Sequence, residues 1–566
     1  MTKISYKRAI SQMQKMLIIA VAVIVIIAAV VGAYYSGILT PSPSPSPSPS
    51  PSPSPVKNKD TIMIETYNPI ANLDPITLSL ASESFVAWNV FENLLSMAGN
   101  VPGGVEPKPG LAESWSVAAD GMTYTFKIRS NAKFSNGDPI DAAAVVYNIN
   151  RLLIVNSPNH MYLFEGIISK GCAKVINSTA VEIKTDIKMP PFTTLLTLWH
   201  GMLNPAVVEA HGGVQNDTVN TEIATNQPFE GLYSGPYKIT EFVPGSGGHV
   251  KLEANQYYWG AQPKTKYVYI SWTTEVSTRV LKLKNGDADW LWNFERTSIS
   301  DLVGADGVKI DKAGLSWTQA YITFSGRDPL GMDQSGIKTR QALCYAYPYD
   351  ITRTYVWAGY AQRAIGPIPA GVPGAYDAWT TKYQFNLTKA AQLLDEAGHT
   401  PGTDGIRLRL ELNYGVGQEA RKQAAIIWQS ELAKIGVELS VREFIGQQLS
   451  TRMRQNQTDM TISGWFPDYP DPYHFAYSIV HSFSVWGIYG SWWKVPEIDA
   501  AIEATLNEPN ATARYALYKP ILETLAENPN RVYLVQEDAL FISRSWLKGY
   551  VYNPIHHGML WYLYKE

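Results

Sequence analysis

The chain has 566 residues, 45% of them hydrophobic, which is more than one core can use, so an ordered protein of two or three lobes is expected. A formal charge of −3 offers no basic face for nucleic acid, and two cysteines are too few for a disulfide scaffold. Neither Gly-x-Ser-x-Gly nor His-Glu-x-x-His occurs, and among nine histidines only His474 with His481 and the adjacent His556 and His557 lie near one another, which argues against hydrolase and zinc-enzyme patterns.

Lys3, Lys7, Arg8 and Lys15 are the only charges ahead of Val56. Residues 1–15 read as a basic cytoplasmic segment. Met16 to Tyr35 is uncharged and nearly all apolar; at about 1.5 Å per residue it reaches about 30 Å, the thickness of bilayer hydrocarbon, so residues 16–35 are expected to form one transmembrane helix. Every flanking cation precedes that helix, which keeps the N-terminus in the cytoplasm and places the body outside a single-pass cell-membrane protein. Residues 41–55 alternate Pro and Ser, a linker that favours an extended polyproline II rod of roughly 45 Å. Sequons at Asn177, Asn216, Asn386, Asn456 and Asn510 are candidate glycan acceptors.

Met122 to Ile128 alternates as a strand, with Tyr124, Phe126 and Ile128 on one side. Asn136-Gly137-Asp138-Pro139 supplies a turn, and Asp141 is positioned to cap a helix through Asn150, with Val145, Ile149 and Leu152 facing a core. Farther on, Leu408 to Leu412 reads as sheet. Ala420 to Ile435 reads as a helix whose stripe of Ala424, Ile427, Trp428, Leu432 and Ile435 packs on that sheet.

The order GLAESW (from Gly110), DGMTYTFKIR (from Asp120), KFSNGDP (from Lys133) and VVYNINR (from Val145) closely resembles the family 5 solute-binding receptors of ABC importers, which include dipeptide, oligopeptide and nickel binders. Further blocks follow in the family's order: NLDPI at Asn72, VFENLL at Val90, SGPYKITEF at Ser234, LEANQYYWG at Leu252, LKLKNGDADW at Leu281, TRQALCYAYPYD at Thr339, AAQLLDEAG at Ala390 and WFPDYPDP at Trp465. At the N-terminus, Lys7-Arg8-Ala9-Ile10-Ser11 ahead of the apolar helix looks like a class III (prepilin-like) archaeal signal, processed between Ala9 and Ile10. The other reading is an uncleaved anchor, and both leave the helix on the mature protein.

The resemblance implies an α/β, type II periplasmic-binding-protein fold, bilobal with an extra inserted domain and preceded by the transmembrane helix. Domain I would take residues 60–92, 206–319 and 537–566, domain II residues 93–205, and domain III residues 320–536. Two chain crossings between domains I and III would make a hinge that closes on a solute. Cys172 and Cys344 fall in different lobes on this layout and are expected as two buried thiols.

In peptide-binding relatives the block corresponding to Gly464-Trp465-Phe466-Pro467-Asp468 lies on a cleft strand whose backbone pairs with the ligand, and Asp468 matches the residue that neutralises the peptide's α-ammonium. The alternative for Asp468 and Asp471 is capping of the Tyr469-Pro470 turn and of a helix from Pro472. Trp465, Phe466, Tyr469, Trp486, Tyr489, Trp492 and Trp493 crowd into one region; flat rings suit sugars as well as bulky peptide side chains. The expected ligand-facing set is Gly464, Trp465, Phe466, Asp468, Tyr469, Trp486 and Trp492. The chain departs from dipeptide binders where they clamp the ligand's carboxylate: Tyr414-Gly415 stands in place of an Arg before Gln418, and Ile462 lies three residues ahead of Trp465. Arg452 and Arg454 are either substitutes or solvated helix cations.

The expected function is an extracellular, membrane-anchored receptor that binds oligopeptides and delivers them to permease subunits served by separate ATPase subunits. It would be no enzyme and would carry no metal and no cofactor. An oligosaccharide ligand is the alternative within the family. A stalked surface hydrolase or adhesin is the alternative of a different class.

Overall fold

Two long antiparallel strands, Val308–Phe324 and Arg531–Arg544, run side by side through the middle of an 11-stranded sheet and join its two halves. The computed structural model describes residues 58–566 apart from 79, 98–105, 162, 198–200, 215–219, 466–467, 485–491 and 556–557. Ala9, Ile10, the apolar helix of 16–35 and the Ser-Pro linker of 41–55 lie outside the described residues. Among the described residues no helix is long and apolar enough to cross a membrane.

From one edge of the sheet to the other the order is Val437–Phe444, Leu408–Gly415, Met460–Trp465, Val308–Phe324, Arg531–Arg544, Trp290–Leu291, Thr61–Thr66, Tyr267–Trp272, His249–Ala254 and Tyr237–Val243, with Ala361–Arg363 also pairing with Arg531–Arg544. In one half, Thr61–Thr66 is parallel to both Tyr267–Trp272 and Trp290–Leu291. Alternate residues Ile62, Ile64, Val268, Ile270, Val250 and Leu252 are sealed into its core. In the other half, Leu408–Gly415 is parallel to Val437–Phe444 and to Met460–Trp465. Parallel neighbours need a crossover, and the helix Glu419–Ala433 supplies it. Ala424, Trp428 and Leu432 of its stripe are fully buried, while Ile427 and Ile435 are only partly covered.

The pairing of the two long strands is not continuous. Its register shifts between Lys312 and Gly314, between Leu315 and Gln319, and between Ala320 and Tyr321, opposite Leu540 to Tyr533 of the partner strand. Extra residues of this kind bend a strand and deepen its twist, so the sheet turns where it passes from one half to the other.

A separate four-stranded antiparallel sheet, Ala112–Val117, Thr123–Ile128, Ala180–Lys184 and Ala173–Asn177, is inserted into the first half of the chain. Tyr124, Phe126 and Ile128 point into its core, as their alternation implies. Gly137 turns the chain at a φ of +94°, and Asp141 accepts the amide of Ala144 at 2.9 Å to cap the helix Ala142–Val155. That helix runs five residues past Asn150 and stops at Asn156, which takes a left-handed conformation. Cys172 and Cys344 are both free and buried.

The insertion is anchored by charge. Arg151, at the end of VVYNINR, grips both carboxylate oxygens of Asp74, in NLDPI, with one contact at 3.0 Å, and neither side chain is more than 1% exposed. Replacing Arg151 by Met leaves a carboxylate sealed from water with no countercharge. Chemical denaturation of Arg151→Met should show a loss of about 3–5 kcal/mol, and a loss below 1 kcal/mol would mean that Asp74 finds another partner.

His160, 4% exposed, lies in the fields of Asp74 and Asp468. Burial outweighs those two charges and pulls its pKa from 6.5 down to about 4. The unfolded chain therefore takes up the proton first. Stability from this residue is fully present above about pH 6.5 and is lost as pH falls towards 4, by roughly 3 kcal/mol at most. Denaturant midpoints followed from pH 7 to pH 4.5 should drop more steeply for the native chain than for His160→Gln; parallel curves would remove His160 from the account.

Candidate ligand-binding site

Parallel strands within one half end on the same side, and the crevice beyond such carboxyl ends is where open α/β sheets take ligands. Across the two long strands Thr61–Thr66 runs opposite to Met460–Trp465, so the strand ends of the two halves approach each other from opposite sides. Three strand ends matter here. Thr66 is followed by Tyr67, Gly415 by the turn into the helix Glu419–Ala433, and Trp465 by the segment that contains Asp468. The first belongs to one half of the sheet and the other two to its opposite half.

Asp468 has a side chain 28% exposed. Its Oδ2 is 2.9 Å from Nε2 of His474, and its own amide points at the same nitrogen at 3.1 Å. One nitrogen cannot accept from the amide and donate to the carboxylate at once. Ser478 Oγ, 3.3 Å from Nδ1, can donate there, which leaves the proton on Nε2 for Asp468. The ring is held in place by Tyr469, stacked at 4.2 Å, and by Trp465 at 4.6 Å. Asp471 is used differently. It caps the helix Pro472–Ile479 through the amide of Tyr473 at 2.9 Å and pairs with Arg514 at 2.9 Å, and it is 2% exposed. Burial pushes its carboxyl up despite that arginine.

Of the expected aromatic set, Trp465 and Tyr469 are buried and spend their faces on His474, with Trp465 also packing edge-on to Phe475. Trp492 is half-buried and donates its indole N–H to the carbonyl of Met453 at 3.1 Å. Trp493 is fully buried. Phe466 and Trp486 lie outside the described residues. Gly464 pairs with Ala320 across the sheet. A Cβ there would stand 2.7 Å from the carbonyl oxygen of Gln319 and 2.9 Å from Nη2 of Arg421, so no larger residue fits without displacing both.

Two residues of this region escape a reading of the sequence. His160 approaches from the inserted segment, 308 positions earlier in the chain than Asp468, and no local pattern announces it. Arg421 carries a signal that could have been used: it lies in the first turn of its helix, where the helix dipole disfavours a cation. Of the two arginines singled out instead, Arg452 is committed to Glu411 at 2.9 Å and to the carbonyl of Gln457 at 2.8 Å, and Arg454 is exposed.

A groove of about 950 Å³ opens elsewhere, between the inserted sheet and the 506–515 region, past Trp115, Tyr124, Lys188 and Tyr515. It meets the Asp468 region only through Arg514, the partner of Asp471. Apart from Arg514, which is spent on Asp471, its charged groups Glu106, Lys108, Asp120 and Lys188 are exposed and solvated, so the strand-end region has the stronger claim to ligand chemistry. Among the described residues no group of three His, Cys, Asp or Glu side chains is placed to hold a metal ion.

Comparison with known proteins agrees with this architecture. The chain is 25% identical over 505 residues to the probable D,D-dipeptide-binding periplasmic protein DdpA of Escherichia coli, covering 88% of this chain and 92% of the relative. It is 24% identical over 476 residues to the dipeptide-binding protein of the same bacterium, covering 80% and 86%. Among solved structures, DppA of Helicobacter pylori in complex with the peptide STSA superposes with a TM-score of 0.74 at 20% identity, over 89% of this chain and 98% of the other. NikA of Brucella suis in complex with Fe(III)-EDTA gives 0.75 at 24% identity, over 89% and 100%. These likenesses establish the bilobal α/β periplasmic-binding-protein fold. The model of "Bacterial extracellular solute-binding proteins, family 5 Middle" matches residues 106–486, and the chain belongs to that family.

Proposed function

We propose that this protein is the capture subunit of an ABC importer, held on the outer face of the cell membrane, and that it takes short peptides into the crevice beside Asp468. The observation that carries the peptide reading is the Asp468 carboxylate. It is partly open to solvent, oriented by His474, and stands beyond the carboxyl end of Met460–Trp465. A carboxylate in a partly dry crevice makes a strong charge-assisted bond to an amine. The names of the curated relatives, dipeptide and D,D-dipeptide binders, agree with it. The rings a sugar would stack on give less support, since Trp465 and Tyr469 are buried against His474.

In this reading domain I comprises residues 60–92, 206–319 and 537–566, domain II residues 93–205 and domain III residues 320–536. Peptide binding favours the closed form, and the permease subunits read that closure. The register shifts around Leu315 to Tyr321 support a hinge at the 319/320 and 536/537 crossings. The N-terminal part of the proposal is a class III signal of archaeal type processed between Ala9 and Ile10, with residues 16–35 retained as the membrane anchor. Mass spectrometry of the N-terminus of membrane-extracted protein tests it, and a chain starting after residue 35 rejects the anchor.

Titration calorimetry of the full chain tests the ligand. Asp468→Ala should weaken binding of a peptide with a free amine by about 1–3 kcal/mol, leaving an N-acetylated peptide or an oligosaccharide unaffected. Equal affinities of the variant and the native chain for the free amine would remove the ammonium role.

A further inference from the structure

Beside Gly464, on the same strand that leads to Asp468, stands a cation with no anion. Arg421 occupies the first turn of Glu419–Ala433, where the helix's exposed N–H groups already repel positive charge. Among the described residues its guanidinium has one side-chain partner, the neutral Oε1 of Gln418, and no carboxylate within ion-pair distance. Glu537 pulls on it from farther off, but that carboxylate is engaged by Arg296 at 3.2 Å and by the indole N–H of Trp357 at 3.2 Å. Part of Arg421 reaches solvent, yet its charged end is desolvated enough to draw its pKa below the arginine range, with Tyr321 and Tyr67 nearby. Tyr67 follows the strand Thr61–Thr66 in the opposite half of the sheet, so the guanidinium lies within electrostatic reach of both halves.

The surroundings are fitted to this side chain. Gly464 has no Cβ, and a Cβ there would come within 2.9 Å of Nη2. Gln319, whose carbonyl crowds the same spot, is 2% exposed and leaves its Oε1 without a hydrogen-bond partner. A desolvated charge without a countercharge is costly, and a scaffold that keeps one has a use for an incoming anion.

We propose that Arg421 is a ligand-binding residue that takes a carboxylate of the peptide, beside Gly464 near the carboxyl end of Met460–Trp465, a few residues ahead of the ammonium site at Asp468. This rests on the peptide reading above. The planar fork of arginine suits a carboxylate in bidentate contact. Two sources supply that group, the C-terminal carboxylate and an Asp or Glu side chain. Gly464 and Asp468 are four positions apart, so their Cα atoms are separated by no more than about 14 Å, and a peptide that bridges both charges by its termini has about four residues or fewer.

The test uses the full chain, with tri- and tetra-alanine as free acids, as C-terminal amides and as N-acetyl acids, and with Ala-Glu-Ala amide. For the native protein, amidation should weaken binding at least tenfold. Arg421→Gln should lose the same factor for the free acids and bind the amides as the native chain does, while Arg421→Lys recovers part of the loss. Recovery of affinity by Ala-Glu-Ala amide assigns the side-chain source, and its absence assigns the C-terminus. Without ligand, Arg421→Gln should melt no lower than the native chain, because it removes an unpaired charge. Amides bound as tightly as acids, with Ala-Glu-Ala amide bound no tighter than the alanine amides, overturn the proposal, as does an equal loss for both in Arg421→Gln with a lowered Tm, which marks a structural arginine. Sensitivity to amidation without sensitivity to acetylation would sink the Asp468 reading and keep Arg421. Failure of every peptide to bind sinks both.

Discussion

The rest of the molecule depends on the pairing of Val308–Phe324 with Arg531–Arg544, because those two strands carry one sheet across two halves. Each half has its own apolar core, and little else in the sheet passes between them. Backbone pairing at this place is interrupted by register shifts rather than reinforced. Bulges bend a strand and deepen its twist, so the same strands that connect the halves also turn the sheet between them.

The strand ends on either side of this junction share a chemical character. Asp468 with His474 and Arg421 beside Gly464 put both signs of charge within a few residues on one half, and Tyr67 stands on the other. His160 adds a neutral imidazole from the inserted segment, in the fields of Asp468 and Asp74. Asp74 in turn holds Arg151. Polar groups thus lie within electrostatic reach of one another from the anchor of the insertion to the edge of the crevice, and low local dielectric makes the buried ones costly to remove.

Local patterns were legible wherever they specify a local outcome. The alternation of Tyr124, Phe126 and Ile128, the cap at Asp141 and the stripe of Ala424, Trp428 and Leu432 all reappear as buried faces and a capped helix. Helix ends were less legible, since the segment after Asp141 continues to Val155 because Leu152, Leu153 and Val155 have core to enter. Long-range partners were illegible. Nothing near Arg151 names Asp74, 77 positions away, and nothing near Asp468 names His160. At the site, block order marks Gly464 and Asp468, whereas the arginine position of dipeptide binders falls in the loop before Gln418, and Arg421 three residues beyond it takes its meaning from a charge that has no carboxylate partner among the described residues.

The two cysteines have a practical side. Cys344 is sealed completely and its thiol is raised well above its ordinary pKa by burial, and Cys172 is pushed up to about 11 for the same reason. A thiol reacts as the thiolate, so burial lowers the reactivity of both in the folded protein. Reagents that alkylate sulfur therefore read local opening, Cys172 for the inserted sheet and Cys344 for the far half. The protein carries two native reporters of local opening, one beside the inserted sheet and one in the far half, with no label to be added.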